Sequence, residues 1–460
     1  MQQEKNIRQL VLEMLLTVTK KEGGEYSHKV IRDVQNKYNY LSTQEKAFMK
    51  RLFEGTLERM IELDYCIDCY SKVKVNKMKP VIRNIMRMGV YQILYMDSVP
   101  DSAACNESVK LAQAKGFATL KGFVNGVLRT IARNKDAIPY PDEKKDYRKY
   151  LSVTYSMPEW IVDLWIGQFG QETTTAMLQG LLQERPVTIR MRTEDEKAVE
   201  ALRADLEKQG GTLKRHPYLS YAYVIEKTDD LTQLSGFQEG AFVIQDISSM
   251  LAVEALGLPK MDNQGTLKIL DICAAPGGKS MLAADSLNHA DIDYMLEARD
   301  ISEYKVELMQ ENFNRCHLNK AKAVAWDALE PDERWLWQAD VVIADIPCSG
   351  LGVIGRKRDI KYKMTPQAVQ DIVELQEKIL KVAASYVKKG GKLLFSTCTV
   401  NKDENEAHVK WIQDTLKMTP VSLNGTLPGL VHSPTTQQGF VQLIPGMQDT
   451  DGFFISVFEK

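Results

Sequence analysis

Residues 267–280 read LKILDICAAPGGKS: a short apolar strand, Leu267–Ile272, runs into small residues that end in Gly277-Gly278. Paired glycines let the backbone approach a ligand closely, and the first amides of a following helix face it. Two common nucleotide loops fail on the residues present. A phosphate loop of the form GxxxxGK[ST] needs glycine at position 273, where Cys273 stands, and the dinucleotide pattern GxGxxG is absent. What remains is a loop for a nucleotide-like ligand with no inserted phosphate.

Working outward, short apolar runs recur at 292–298, 321–326, 340–345, 391–396 and 453–458. Amphipathic helical text separates them, notably at 302–316 and 366–389. Alternating strands and helices predict a mostly parallel, doubly wound α/β sheet. Ligands of such sheets sit beyond the carboxyl ends of the strands. Asp300 closes the second strand and suits a pair of ribose hydroxyls; Asp327 follows the third, placed for a base edge. The fourth ends in Asp345, ahead of Pro347-Cys348, and the fifth, KLLFSTCTV (392–400), holds Cys398 in a polar collar just past its apolar run. Together these strand ends describe a pocket for an adenosine-containing cofactor that is not a phosphate donor.

The front of the chain differs. Apolar residues at three- and four-residue spacing mark helices at 6–20, 42–67, 80–96 and 123–134, with Ser42 and Glu45 as a capping box and Pro80 at a helix start. Residues 1–140 carry 23 Lys and Arg against 15 Asp and Glu, whereas the remainder carries 36 against 46. A basic helical module joined to an acidic one suits a nucleic-acid-binding front end, and equally suits compositional scatter. Pro139, Pro141 and a charged run mark a linker, after which strand text at 186–193 and 221–227 flanks a helix at 196–210. The expected organisation is multidomain: an all-α bundle (1–138), a linker with a small α+β unit (139–236) and the α/β domain (237–460).

Seven widely spread cysteines do not form a disulfide framework. The lone Cys66-Ile-Asp-Cys69 lacks the four ligands of a structural zinc, so Cys66, Cys69, Cys105 and Cys316 read as packing residues. His408 reads as a surface or capping residue. The amino terminus has no signal-peptide pattern and no apolar run reaches membrane length, so a cytoplasmic protein without metal is expected, as a monomer.

DICAAPGGKS, ADIPCSGLG (344–352), STCTV with NKDENE (396–406) and DGFFI (451–455) resemble the NOL1/NOP2/Sun family of RNA 5-methylcytosine methyltransferases. RNIMRMGVYQILYM (83–96), VPDSAACNESVKLA (99–112) and FVNGVLR (123–129) resemble the NusB-like RNA-binding domain. The pairing is similar to the bacterial 16S rRNA (cytosine(967)-C(5))-methyltransferase subfamily, and the likeness extends to GAFVIQDISSMLAVEAL (240–256). Only residues 140–230 and 415–440 match loosely. Arg358 stands where the family has proline, which leaves the local loop shape open; Ile346 and Ser280 are smaller departures.

The resemblance implies a Rossmann-like class I methyltransferase domain. It implies that Cys273, Ala274, Ala275, Pro276, Gly277, Gly278 and Lys279, with Asp300, Asp327 and Asp345, contact S-adenosyl-L-methionine. Carbon 5 of cytosine is a poor nucleophile until a thiolate adds at carbon 6. Cys398 is the implied nucleophile, Cys348 the helper for product release, and Asp345 polarises the cytosine. The reverse assignment stays open, because Pro347-Cys348 also resembles the nucleophile pair of DNA cytosine methyltransferases. The substrate is expected to be 16S rRNA, its target base turned out of the stack. Arg356 and Lys361, in GRKRDIKYK (355–363), are expected to contact RNA and steepen the salt dependence of binding. Another rRNA or tRNA target, or a non-catalytic RNA-binding factor, are the alternatives.

Overall fold

The structure, a computed structural model, describes residues 6–20, 23–183, 185–193, 195–227, 230–261, 265–427 and 434–460. Residues 1–5, part of the terminus read above for a signal peptide, lie outside these. The chain falls into two compact units: Met1–Gln183 with Ile354–Met364, and Glu184–Val353 with Thr365–Lys460. Among the described residues no helix is long and apolar enough to cross a membrane.

The first unit is helical: α1 (Ile7–Val18), α2 (Ser27–Lys37), α3 (Thr43–Glu58), α4 (Met60–Tyr70), α5 (Pro80–Tyr95), α6 (Asp101–Ala114), α7 (Lys121–Arg133), α8 (Tyr147–Thr154) and α9 (Glu159–Leu182). Both halves of the Ser42–Glu45 capping box form, and Pro80 occupies the first turn of α5. The stretch 42–67 divides at Arg59 into α3 and α4. Helix α5 is central, burying Ile82, Ile85, Met86, Val90 and Ile93. Close approach depends on small residues: a Cβ at Gly89 would lie 2.8 Å from the Leu128 side chain on α7. Cys66 and Cys105 are buried in this core as expected, but Cys69 is exposed.

Helices α8 and α9 belong to the helical unit, although residues 139–183 were expected with the small α+β unit. Their apolar side chains explain the difference. Leu151, Ile161, Val162, Trp165 and Met177 are all buried, while the Ser156 hydroxyl accepts the Ile61 N–H of α4 at 3.0 Å.

Residues 354–364 also cluster with the helical unit and correct one expected site residue. Lys361 is 2% exposed, and its ammonium donates to the backbone oxygens of Glu58 (2.7 Å) and Ser156 (2.6 Å). It is therefore a buried anchor of the helical unit, not the RNA contact expected from its charge. Arg358, whose place in the loop was open, pairs with Glu54 at 3.1 Å and Glu58 at 3.0 Å. Asp359 accepts from the Ser27 N–H and from Lys363. Arg356 stays on the surface.

The second unit opens with β1 (Val187–Met191), α10 (Glu196–Lys208), β2 (Thr212–Arg215), β3 (Ala222–Glu226), α11 (Ser235–Gln238) and β4 (Phe242–Ile244). Their strands form an antiparallel sheet in the order β2-β3-β1-β4. There follow α12 (Ile247–Glu254), β5 (Leu267–Asp271), α13 (Gly278–His289), β6 (Tyr294–Asp300), α14 (Glu303–Arg315), β7 (Ala321–Ala325) and β8 (Ala339–Asp345). The short α15 (Ile360–Lys363) lies in the segment assigned to the helical unit. The chain ends with α16 (Pro366–Tyr386), β9 (Val387–Thr397), α17 (Glu406–Trp411), β10 (Thr419–Pro420), α18 (Pro434–Gln437), β11 (Phe440–Leu443) and β12 (Phe453–Glu459).

The larger sheet runs β10-β12-β9-β8-β5-β6-β7, with β11 paired to β12. Strands β7, β6, β5, β8 and β9 are parallel, and β12 is antiparallel to β9. Both faces are apolar, as period-two alternation requires. Ile269, Val341, Ile343 and Leu394 join one core, while Leu270, Val342, Leu393 and Phe395 join the other. The small sheet is tied to α13 by a buried ion cluster, in which Asp285 takes Arg190 at 2.6 Å and Arg192 at 2.7 Å. Successive connections leave β5 toward β6 on one side and β8 on the other, the switch point at which such sheets open a crevice.

Burial disfavours the Lys361 ammonium and brings its pKa from 10.5 down to about 7. Between those values the unfolded chain binds more protons than the folded one, so this group makes stability rise with pH across the window. Lys361→Met is expected to flatten that rise in urea unfolding followed from pH 7 to 10. An unchanged slope would show that the ammonium is not desolvated.

Candidate active site

The carboxyl ends of β5, β6, β8 and β9 converge on the crevice, and the turn after β5 shapes its floor. Gly277 caps α13 with φ +96°, a left-handed conformation that glycine adopts without a steric penalty. A Cβ there would also come within 3.2 Å of the Phe313 ring. Asp271 braces the turn: Ser280 Oγ donates to its carboxylate at 2.6 Å, and burial pushes its pKa up to about 7.

A cavity of about 480 Å³ lies over these ends. Seven expected site residues line it together: Cys273, Ala275, Asp300, Asp327, Asp345, Cys348 and Cys398. Ile301, Lys305, Trp326 and Leu329 also line it and were not anticipated, since none belongs to a motif or a strand-end acid. Asp300 accepts from the Ser302 N–H at 3.0 Å and pairs with Lys305 at 3.2 Å. Asp327 caps its own loop through the Leu329 N–H at 2.9 Å. Burial pushes the Cys273 thiol far up, leaving its sulfur a poor nucleophile.

Ala274, Pro276, Gly277, Gly278 and Lys279 form the turn without lining the cavity. Lys279 differs most from its expected role. Its ammonium donates to Asp345 Oδ2 at 2.5 Å and Ser249 Oγ at 3.3 Å, and lies 5.1 Å from the centre of the Phe453 ring. The other Asp345 oxygen accepts from Ser396 Oγ at 2.8 Å. The carboxylate is thus held from both sides at the cavity wall.

Cys348 and Cys398 meet across the neighbouring strand ends, their sulfurs 3.2 Å apart. The hydrogen bond to Cys398 and burial both push the Cys348 thiol well above the ordinary cysteine value, and Glu404 adds to the effect. The two thiols share one hydrogen bond, in which either sulfur can be the donor.

Behind the pair lies a polar cluster. Glu404 is fully buried and accepts from Ser349, which follows Cys348, through both its N–H (2.8 Å) and its hydroxyl (2.5 Å). Asn405 accepts from Thr397 at 2.6 Å and donates to the Thr399 carbonyl at 3.0 Å. Both belong to NKDENE, which carried only a family likeness in the sequence; the signal available was a dense polar run directly after a buried strand. His408 is not on the surface. It is 2% exposed between Phe395 and Trp411, its Nδ1 lies 3.0 Å from the Asp403 carbonyl ahead of α17, and burial lowers its pKa. Among the described residues no group of His, Cys, Asp and Glu is arranged to hold a metal ion.

Comparison with known proteins matches this architecture. The family model described as 16S rRNA methyltransferase RsmB/F matches residues 258–459. The NusB family model matches residues 5–133, and a ferredoxin-like domain of RsmF/B-like methyltransferases matches residues 157–232. The chain is 34% identical to the Bacillus subtilis (strain 168) protein named "Probable ribosomal RNA small subunit methyltransferase B", across 99% of both chains. It is 30% identical to the protein of the same name from Synechocystis sp. (strain ATCC 27184 / PCC 6803 / Kazusa), over 94% of this chain and 98% of that one.

Among solved structures, the crystal structure of PH0851 shares the fold with a TM-score of 0.76 over 100% of both chains, at 20% identity. NSun6 from Pyrococcus horikoshii with SFG gives 0.55 over 66% of this chain and 98% of that chain, at 21% identity. Models of a NusB domain, a ferredoxin-like domain and an RsmB/F methyltransferase domain thus match in that order along this chain, and the chain belongs to the RsmB/F family of 16S rRNA methyltransferases.

Proposed function

We propose that this protein transfers a methyl group from S-adenosyl-L-methionine to carbon 5 of a cytosine in 16S rRNA, at cytosine 967 by family resemblance, through a Cys398–cytosine adduct. The observation that carries this reading is the pair of sulfurs 3.2 Å apart at one cavity wall, beside a carboxylate held by Lys279.

The cavity fits the cofactor. It has room for a nucleoside with an amino-acid tail, a strand-end acid in Asp300 for the ribose, a loop carboxylate in Asp327 for the base edge, and no phosphate loop. When bound, the cofactor supplies an electrophilic methyl group. Cys398 adds to carbon 6 of the cytosine as a thiolate, which makes carbon 5 nucleophilic. Asp345 accepts from the exocyclic amine, and Lys279 beside it is the donor available to the ring nitrogen during attack. After transfer a base, solvent or a deprotonated Cys348, takes the carbon 5 proton; the electrons of that bond re-form the 5,6 double bond and expel the Cys398 thiolate, a release that Cys348 is placed to promote. Arg356, exposed on its loop, is retained as an RNA contact; Lys361 is not.

Cys398 is preferred over Cys348 as the attacking group because its Thr397-Cys398 pair accompanies the other motifs of the RNA family. At pH 8, iodoacetamide is expected to label Cys398 faster than Cys348, since the attacking cysteine is the one that must supply a thiolate. Peptide mass spectrometry reads the ratio, and preferential labelling of Cys348 would reverse the assignment. In turnover, Cys348→Ala is expected to accumulate a covalent protein–RNA adduct that Cys398→Ala cannot form. An adduct trapped only by Cys398→Ala would also reverse it.

Bisulfite sequencing of RNA from cells with and without the gene tests the reaction itself. One cytosine of 16S rRNA is expected to lose its resistance to conversion when the gene is absent or carries Cys398→Ala. A lost position in tRNA or other rRNA would move the target and keep the chemistry; no change anywhere would favour a non-catalytic RNA-binding factor.

A further inference from the structure

We propose that Glu404 is a positioning residue of the two-cysteine site, its carboxylate tying the Cys348 loop to the Cys398 loop. The inference rests on the reading of Cys348 and Cys398 as the reacting pair. One carboxylate oxygen accepts from the Ser349 N–H at 2.8 Å and from Gln376 Nε2 at 3.2 Å. The other accepts from the Ser349 hydroxyl at 2.5 Å and Asn401 Nδ2 at 3.2 Å. Ser349 Oγ in turn lies 2.8 Å from Thr399 Oγ1, and Gln376 donates to the Pro347 carbonyl at 2.9 Å. The residues on both sides of Cys348 and the residue after Cys398 are therefore held by one network centred on Glu404.

Two features separate this from ordinary packing. A buried carboxylate is costly to desolvate, and a loop junction could be filled more cheaply by an apolar side chain. Here nearly every donor bound to the carboxylate belongs to a segment carrying or flanking a reactive cysteine, so its cost stabilises a particular approach of two sulfurs. Its charge also faces Cys348 and helps that thiol keep its proton. A misplacement of about 1 Å in such a site lowers turnover by roughly a hundredfold.

The test uses the full-length protein and dibromobimane, which becomes strongly fluorescent only after joining two thiols. Glu404→Ala is expected to lose most of the Cys348–Cys398 cross-link and about a hundredfold in methylation turnover, with KM for S-adenosyl-L-methionine unchanged. Glu404→Gln keeps the shape, because the neighbouring hydroxyls and amides can turn to suit it, and is expected to keep the cross-link. In a Cys398→Ala background it should nevertheless lower the pH midpoint of Cys348 alkylation, which a purely structural residue would not move. Should Glu404→Ala fail to fold by circular dichroism, Ser349→Ala removes one arm of the network and is expected to weaken the cross-link. Wild-type cross-linking in the folded Glu404→Ala or Ser349→Ala variant, or an unmoved midpoint in Glu404→Gln, would overturn the proposal. Failure of the underlying cysteine reading looks different: Cys398→Ala would then methylate at the wild-type rate whatever the cross-linking result.

Discussion

In the parallel pairing of β8 with β9, Asp345 lies opposite Ser396, and much of the site follows from that register. Each strand ends at the cavity, with Cys348 three residues beyond β8 and Cys398 directly after β9, so the pairing itself delivers both cysteines to one wall. The same register lets Ser396 donate to Asp345 while Lys279 reaches the other carboxylate oxygen from α13. A slip of one residue would turn every β9 side chain to the opposite face and send Leu393, Leu394 and Phe395 into the wrong cores. The register is secured by burial on both faces: Leu393 and Phe395 point into one core, Leu394 into the other.

Burial of polar groups works in two directions here. Around the cysteines, Glu404 and Asn405 have their hydrogen bonds largely met by neighbouring segments, several of whose donors bridge two acceptors. In the helical unit, Lys361 spends its charge on two backbone oxygens and becomes easy to deprotonate. The first arrangement orders a reactive site; the second fastens a chain segment. Residue type alone does not distinguish them, since a lysine in a basic loop and an acid in a polar run both look solvent-facing in one dimension.

Strands β5, β8, β9 and β12 were legible because strands buried on both faces read as short continuous apolar runs between helices. Strands β2 and β4 were not. Leu213 is the lone buried residue of Thr212–Arg215, and β4 has three residues, so neither carries a readable period. Helix α9 was obscured by Gly170 at φ +80°, which interrupts its helical geometry. The strand-end acids and both cysteines were legible as candidates because their positions follow from the strand pattern. Glu404, Lys305 and the true burial of His408 and Lys361 were not, since each depends on neighbours distant in the chain.

By itself, the sequence determined the alternation of elements, the absence of a phosphate loop, the acids at the strand ends and the family likeness. These depend on local residue pattern, which survives projection onto one dimension. Tertiary structure decided which helices residues 354–364 pack with, which lysine is buried, and that the sulfurs of Cys348 and Cys398 meet. Those outcomes turn on desolvation and on hydrogen-bond partners tens to hundreds of residues away, as when Lys361 meets Glu58 or Cys348 meets Cys398. Such energies exist only once the chain has closed on itself.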